Sequence, residues 1–364
     1  PGDDTLTMNG NSRVSGKVNF GIGRNALNMS GNARIGGNIR FGADSYQQAR
    51  YYTVIESNLP HQGPIGNVYY VGKQLLYVLE GSTYDPAFIN TGTFVYDTVT
   101  DPGGDDTMAM SGTTSIGGPS ITFGSGDDTM TLSEKADISS VPTLDGGTGA
   151  NDKLTLSGWT TDRDQATDKP SGFGGNVIGW EVIEVKDNSD VYLGPTPDVG
   201  NPLTFSPSAG QTLQMAIEAG SIIRATGSSP GRYVIDGNLA NSGTVSLVDG
   251  TPDDRLTVNA TYSGTGSAAK LELDVKLDAA ASSGWSARDT LDLLVVGADG
   301  TTGGTTQGST LIQVYNSGSS VKKISDGGKG ILLVKVNGTN SGTTFSIDPS
   351  AAVFQGASVS LDEE

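Results

Sequence analysis

Three apolar positions recur every 21 residues at the start of this chain. Leu6 of TLTM returns as Leu27 of ALNM, Val14 of RVSG as Ile35 of RIGG, and Val18 of VNFG as Ile39 of IRFG. The pattern resumes at Met108, Ile116 and Ile121; Met130 follows Met108 by 22 residues, and Leu154 follows Met130 by 24. Each unit therefore holds three short alternating segments separated by Gly/Asn/Ser turns. Alternation is the mark of a strand with one buried side. A period near 22 with three such segments suits one triangular coil of a parallel β-helix. Successive coils would pair about 4.8 Å apart. Leucine-rich repeats have a similar period, but their Leu/Asn spacing is missing. Tandem hairpins would need two-residue turns at regular intervals, and none are seen.

Composition agrees. The 364 residues include 53 Gly, in short runs with Ser, Thr, Asn and Asp between apolar pairs, which is turn chemistry repeated along a chain of many short strands. Helix signals are scarce; the best, QTLQMAIEA (Gln211–Ala219), also fits a buried strand. The net charge of −18 disfavours nucleic acid and anionic membrane surfaces, because both need clustered Lys and Arg. No apolar run is long enough to span a bilayer. With no Cys, disulfides cannot staple the fold, but stacked coils build a continuous core without them. The chain opens inside a repeat unit and shows no signal peptide, as expected of a piece of a longer protein.

One corner of the unit carries a repeated Gly-Asp-Asp: PGDDTLTM at the start, GGDDTMAM at Gly103–Met110, GSGDDTMTL at Gly124–Leu132, and the looser GGTGANDKLTL at Gly146–Leu156. Three readings compete. The motif resembles the calcium-binding nonapeptide, which makes Asp105, Asp106, Asp127, Asp128 and Asp152 candidate ligands; but calcium rolls need it in tandem every nine residues, and an isolated copy offers too few oxygens. A catalytic carboxylate pair should differ from its surroundings, whereas these pairs recur and no Lys or Arg accompanies them at a fixed spacing. The third reading, a solvated scaffold turn, fits a motif that recurs once per coil. Two exposed charges about 4.8 Å apart repel by only about 1 kcal/mol in water.

Between Asp44 and Asp101 the repeat disappears. Ser45–Thr100 holds eight of the 12 Tyr, together with His61, Phe88 and Phe94. NVYYVGKQLLYVLEG reads as two strands hinged at Gly72-Lys73, and YYTVIES as another. Insertions at coil corners often carry function, so Tyr51, Tyr52, His61, Tyr69, Tyr70, Tyr77 and Tyr84 are the candidate partner-binding residues. The competing assignment is that the aromatics form this unit's own core. His61 is the only His; it lies in a Pro/Gly loop, LPHQGP, with no nucleophile elbow anywhere, so no Ser-His-Asp triad is expected. A lone His and no Cys also argue against a zinc or thiol enzyme. Trp180 and Trp285 read as core or cap residues.

The C-terminal part runs DDRLTVNATYSGTGSAAKLELDVKLD (Asp253–Asp278), RDTLDLLVVGADGTTGGTTQGSTLIQVYN (Arg288–Asn316) and GGKGILLVKVNGTNSGTTFSI (Gly327–Ile347). A D-x-L-x-V strand, Y-x-G-x-G, an apolar strand, a second D-x-L-x-V strand and a G-I-x-L-V-x-V-x-G strand follow in that order. The order resembles the C-terminal stretch of bacterial autotransporter passenger domains of the pertactin/AIDA-like type. One departure stands at GASVSL (Gly356–Leu361), where that family usually has Gly-Ala-Tyr-x-Tyr-x-Leu. The resemblance implies a right-handed parallel β-helix, exported through an outer-membrane barrel that is missing from this fragment, with a C-terminal cap that nucleates folding. It implies a location at the bacterial cell surface, anchored in the outer membrane or secreted.

The resulting expectation is an all-β solenoid of about 14 coils. Residues 1–44 and 101–250 form β-helix repeats, 45–100 a Tyr-rich inserted subdomain, and 251–364 the last coils and cap. The expected role is that of an adhesin or virulence factor binding a host-cell or matrix protein, a glycan or another copy of itself, without nucleic acid and without a resident cofactor. A glycan hydrolase or lyase, and a released soluble ligand or toxin, are the alternatives.

Overall fold

In the computed structural model the described residues are all-β. They comprise 2–42, 104–161, 172–194, 200–225, 230–276, 291–317, 331–342 and 345–348. To these are added residue 344 and the backbone of strands Ser45–Val54, Val68–Val71, Leu75–Val78, Thr91–Thr100, Arg163–Asp164, Lys169–Pro170, Val353–Phe354 and Ala357–Ser358. The chain divides into two compact units, Ala43–Pro102 and the remainder.

The larger unit is a parallel β-helix. Its first face begins with Thr5–Met8, Ala26–Met29, Thr107–Met110, Thr129–Glu134, Lys153–Trp159 and Val182–Lys186, each paired in parallel with the next. The second face starts at Arg13–Val14, Arg34–Ile35 and Ser115–Ile116. The third is a single 10-stranded sheet running from Val18–Asn19 to Val334–Val336. Identical register positions stack directly: Leu6 on Leu27, Leu27 on Met108, Met108 on Met130 and Met130 on Leu154. Leu27, Met108, Met130 and Leu154 are at most 2% exposed, so the recurring apolar residues are the core. The Phe of VNFG, IRFG and ITFG extends this order. Phe20, Phe41 and Phe123 stack with ring centroids 4.8 and 4.6 Å apart, and Trp180 closes the column edge-on to Phe123 at 5.4 Å.

The segment Gln211–Ala219 contributes strand Leu213–Ile217, paired on both sides, which decides the helix-or-strand ambiguity. Its alternation puts Leu213, Met215 and Ile217 inside, a period of two that a helix would not keep on one face.

The third face gives ten rungs among the described residues, not about 14. Later coils consume more chain: Thr305 pairs with Thr261, 44 residues earlier, and Val334 with Leu294, 40 earlier. Near the end, strand Gly304–Asn316 runs through two faces at once. It pairs with Thr261–Gly264 and then with Lys270–Val275.

The smaller unit is a four-stranded antiparallel sheet in the order Thr91–Thr100, Ser45–Val54, Leu75–Val78, Val68–Val71. The two-strand reading of NVYYVGKQLLYVLEG appears here as the pair Val68–Val71 and Leu75–Val78.

Candidate functional site: two ladders at the Gly-Asp-Asp corner

The corner is built by the residue two places before each inward apolar side chain of the first face. Those residues are Asp4, Asn25, Asp106, Asp128, Asp152 and Glu181, preceding Leu6, Leu27, Met108, Met130, Leu154 and Ile183. A hydrogen-bond ladder joins them. The amide of Asp4 donates to Asn25 Oδ1 at 3.2 Å, that of Asn25 to Asp106 Oδ1 at 2.6 Å, and that of Asp106 to Asp128 Oδ1 at 2.7 Å. The amide of Asp128 donates to Asp152 Oδ1 at 2.7 Å, and that of Asp152 to Glu181 Oε2 at 2.8 Å. Glu181 Oε1 accepts from the Ser208 amide at 2.9 Å and ends the ladder.

At three of these corners the preceding Asp makes a second set of bonds that runs the other way. Asp3 Oδ1 accepts from the Arg24 amide at 2.9 Å, Asp105 Oδ1 from the Asp127 amide at 3.2 Å, and Asp127 Oδ1 from the Asn151 amide at 3.2 Å. These side chains face solvent. In every outer bond the acceptor lies one coil before its donor; in the inner ladder it lies one coil after.

This corrects the solvated-turn reading for half of the motif. The first Asp of each pair is exposed, as expected. The second stays exposed in the first copy, at Asp4, but not in the later ones: Asp106 is 1% exposed, and Asp128 and Asp152 are fully buried. The coil closes so tightly at this corner that the second position points inward, where backbone amides of the neighbouring coil otherwise lack acceptors. Burial pushes the Asp128 carboxyl up to about 8, aided by the charges of Asp106, Asp152 and Asp105. Burial, then the Glu181 charge, pushes Asp152 up to about 7. Exposed Asp127 shifts the other way, held below the usual range by its hydrogen bond from Asn151. Glycine precedes the pair because coils touch there. A Cβ on Gly104 would be driven into the carbonyl of Gly23, and Gly126 also sits at φ +134°.

A related cluster occupies the C-terminal coils. Asp254 and Asp292 belong to the two D-x-L-x-V segments, whose strands Arg255–Val258 and Leu293–Val296 pair directly. Asp292 Oδ1 accepts from the amides of Asp253 and Asp254, and its Oδ2 from that of Asp274. Asp274 Oδ2 accepts from the amides of Asp249 and Gly250, and Asp254 Oδ1 from that of Gly231. Burial, reinforced by neighbouring acids, raises Asp254 to about 8 and Asp292 to about 9.

Sequence reasoning missed Asn25 and Glu181. Their signal was the fixed offset before the apolar position, which Gly23-Arg24-Asn25 keeps while losing the acidic pair. Among the described residues no group of three or more His, Cys, Asp or Glu is placed to hold a metal ion. The five candidate calcium ligands divide between the two ladders: Asp105 and Asp127 outside, Asp106, Asp128 and Asp152 inside.

Of the candidate binding residues, Tyr52, Tyr77 and Tyr69 occupy one register line across three adjacent strands of the smaller unit. Tyr51 pairs with Phe94 and Tyr70 with Leu76, on alternate positions. His61 and Tyr84 lie outside the described residues, as does Trp285. Trp180 is buried, its Nε1 donating to the Leu144 carbonyl at 3.4 Å. A depression of about 450 Å³ lies beside Pro142, Phe173, Asn176, Asn201 and Leu203, with no acid, base or cation in its wall. Among the described residues no helix is long and apolar enough to cross a membrane.

Fold and site together define a parallel β-helix whose corners are tied by two opposed ladders. No protein-family model, no curated protein and no solved structure matches this chain.

Proposed function

We propose that this chain is the adhesive part of an exported, surface-displayed passenger of the autotransporter kind, in which the β-helix gives reach and the inserted unit makes contact. The observation that carries this reading is the continuity of the coil stack across the insertion. Leu27 pairs with Met108, 81 residues on, and 60 of those belong to Ala43–Pro102. The remaining 21 equal the spacing of Leu6 from Leu27. All three faces resume in register: Ala26 with Thr107, Arg34 with Ser115, Ile39 with Ile121. The helix closes without the insertion, so the insertion is available for another task.

Two further features support the reading. A disulfide-free solenoid folds coil upon coil, which suits a chain threaded unfolded through a pore. The insertion sets Tyr52, Tyr69 and Tyr77 in one line, and Tyr is a favoured contact residue for protein and glycan partners.

The test joins Gly42 directly to Gly103. The β-rich circular dichroism should survive, while binding of the full passenger to host cells, matrix proteins or glycans should disappear. Undiminished binding by the deleted form would move the contact site to the helix.

A further inference from the structure

The inner ladder contains its own control. Asn25 is 1% exposed and stands at the ladder position otherwise held by acids. Its Oδ1 accepts from the Asp4 amide, and its Nδ2 donates to the carbonyls of Gly21 and Gly23 at 3.0 and 2.9 Å. The position is thus fitted for a side chain that accepts through one atom and donates through the other. A carboxylate can only accept; a carboxylic acid does both.

Asp128 holds the same ladder position two coils on, and only its protonated form carries a donor there. Its Oδ1 accepts from the Asp106 amide at 2.7 Å. Its Oδ2 is buried and has no hydrogen-bond partner. The charges that act on it from the neighbouring coils are those of Asp106 and Asp105 on one side and Asp152 on the other, all acidic. Beyond Asp152 stand Glu181 and Asp127, acidic again. Asp152 differs: its Oδ2 accepts from the Gly149 amide at 2.9 Å, so both of its oxygens are satisfied in the ionised form. An ionised Asp128 would leave one buried oxygen with nothing to accept, in line with like charges, and a buried unpaired charge is among the costliest features a fold can carry.

We propose that Asp128 is a proton-binding site of the folded coil stack, held as the neutral acid at neutral pH, and that the Gly-Asp-Asp corner thereby tightens the helix in acid and loosens it in alkali. No other reactant is needed: the site takes one proton from solvent on folding and returns it on unfolding or alkalinisation. The sign follows from linkage. A folded-state affinity for protons above that of the unfolded chain adds stability at low pH, which is lost as pH rises through the folded value.

The test compares thermal melting of the whole chain from pH 5 to 9 for wild type, Asp128→Asn and Asn25→Asp. The wild-type Tm should fall by several degrees over this range. Asp128→Asn, which supplies the donor permanently, should flatten part of that fall and melt above wild type at pH 9. Asn25→Asp should steepen it. Infrared spectra at neutral pH should show protonated-carboxyl absorption to which Asp254 and Asp292 also contribute, and the wild-type minus Asp128→Asn difference should show the loss of one carboxyl's share of it. Equal slopes in wild type and Asp128→Asn, or equal absorption in the two, would overturn the proposal. Should Asp128→Asn not fold, an unchanged slope in Asn25→Asp would overturn it equally. A Tm at pH 8 that rises with added calcium and drops with EDTA, in wild type but not in Asp128→Asn, would give the site to a cation instead and also overturn it.

Discussion

The backbone amide of Asp128 donates to Oδ1 of Asp152 at 2.7 Å although 24 residues of chain separate them. That bond is one of five that link six successive rungs from Asp4 to Glu181. It turns a motif that looks like surface charge into part of the interior framework. The same motif supplies an outer ladder of opposite direction, so each corner is tied both to the coil before it and to the coil after it.

The two Asp of one motif should respond differently to truncation. Asp105→Ala removes an exposed acceptor for the Asp127 amide and an exposed ion pair with Arg24 at 3.8 Å. Its effect on urea unfolding should stay within about 0.5 kcal/mol, as for other exposed pairs. Asp106→Ala leaves the buried amide of Asn25 without its acceptor. It should cost about 1–3 kcal/mol. Equal losses would contradict the inner and outer assignment.

Gly104→Val should be among the most harmful single changes in the helix. Its Cβ would meet the carbonyl of Gly23, a backbone atom that cannot swing away. A loss of at least about 2 kcal/mol is expected, at the upper end of the usual range. Gly10→Val offers a comparison without crowding, since nothing lies within 4 Å of a Cβ there; its cost would come only from the φ of +61°. Thermal melting of the two variants separates close approach from backbone strain.

Tyr262→Phe tests the Y-x-G-x-G segment. The Tyr262 hydroxyl is fully buried, accepts from Asn241 Nδ2 at 3.2 Å and pairs with Thr310 Oγ1 at 3.1 Å. Asn241 Nδ2 keeps a second acceptor, the Lys270 carbonyl at 3.0 Å. The loss should therefore be modest, about 1–2 kcal/mol, read from the urea midpoint at unchanged slope.

The C-terminal acids predict a second pH dependence, independent of Asp128. Asp254 and Asp292 are raised to about 8 and about 9, chiefly by burial. A raised folded value means that their stabilising contribution is complete below the unfolded carboxyl range. It fades between about pH 4 and pH 9. Asp254→Asn keeps an acceptor for the Gly231 amide, 2.5 Å from Asp254 Oδ1, and removes a charge that would otherwise be buried. It should raise the urea midpoint at pH 9 and change it little at pH 5. A larger gain at pH 5 than at pH 9 would reverse the sign and exclude the argument.

Much of the fold was readable because a β-helix is nearly one-dimensional. The 21-residue return of Leu6 at Leu27, Val14 at Ile35 and Val18 at Ile39 names residues that stack directly in space. The insertion was readable as the place where that return fails. The number of rungs was not, because coils lengthen in the C-terminal half, where Thr305 pairs with Thr261 44 residues earlier and Val334 with Leu294 40 earlier, and the added length leaves no periodic trace. Nor was the depth of Asp128, since a Gly-Asp-Asp string is equally compatible with a wet turn and with a buried one.

The sequence by itself determined the period, the identity of the inward apolar residues and the position of the interruption, because alternation and repeat length follow directly from strand geometry and coil circumference. Only the tertiary structure decided which Asp of each pair faces inward and that Asn25 and Glu181 complete the same row. Those outcomes depend on backbone amides of a neighbouring coil, 21 to 81 residues away along the chain, and no local pattern specifies where such donors will lie once the coils have closed upon one another.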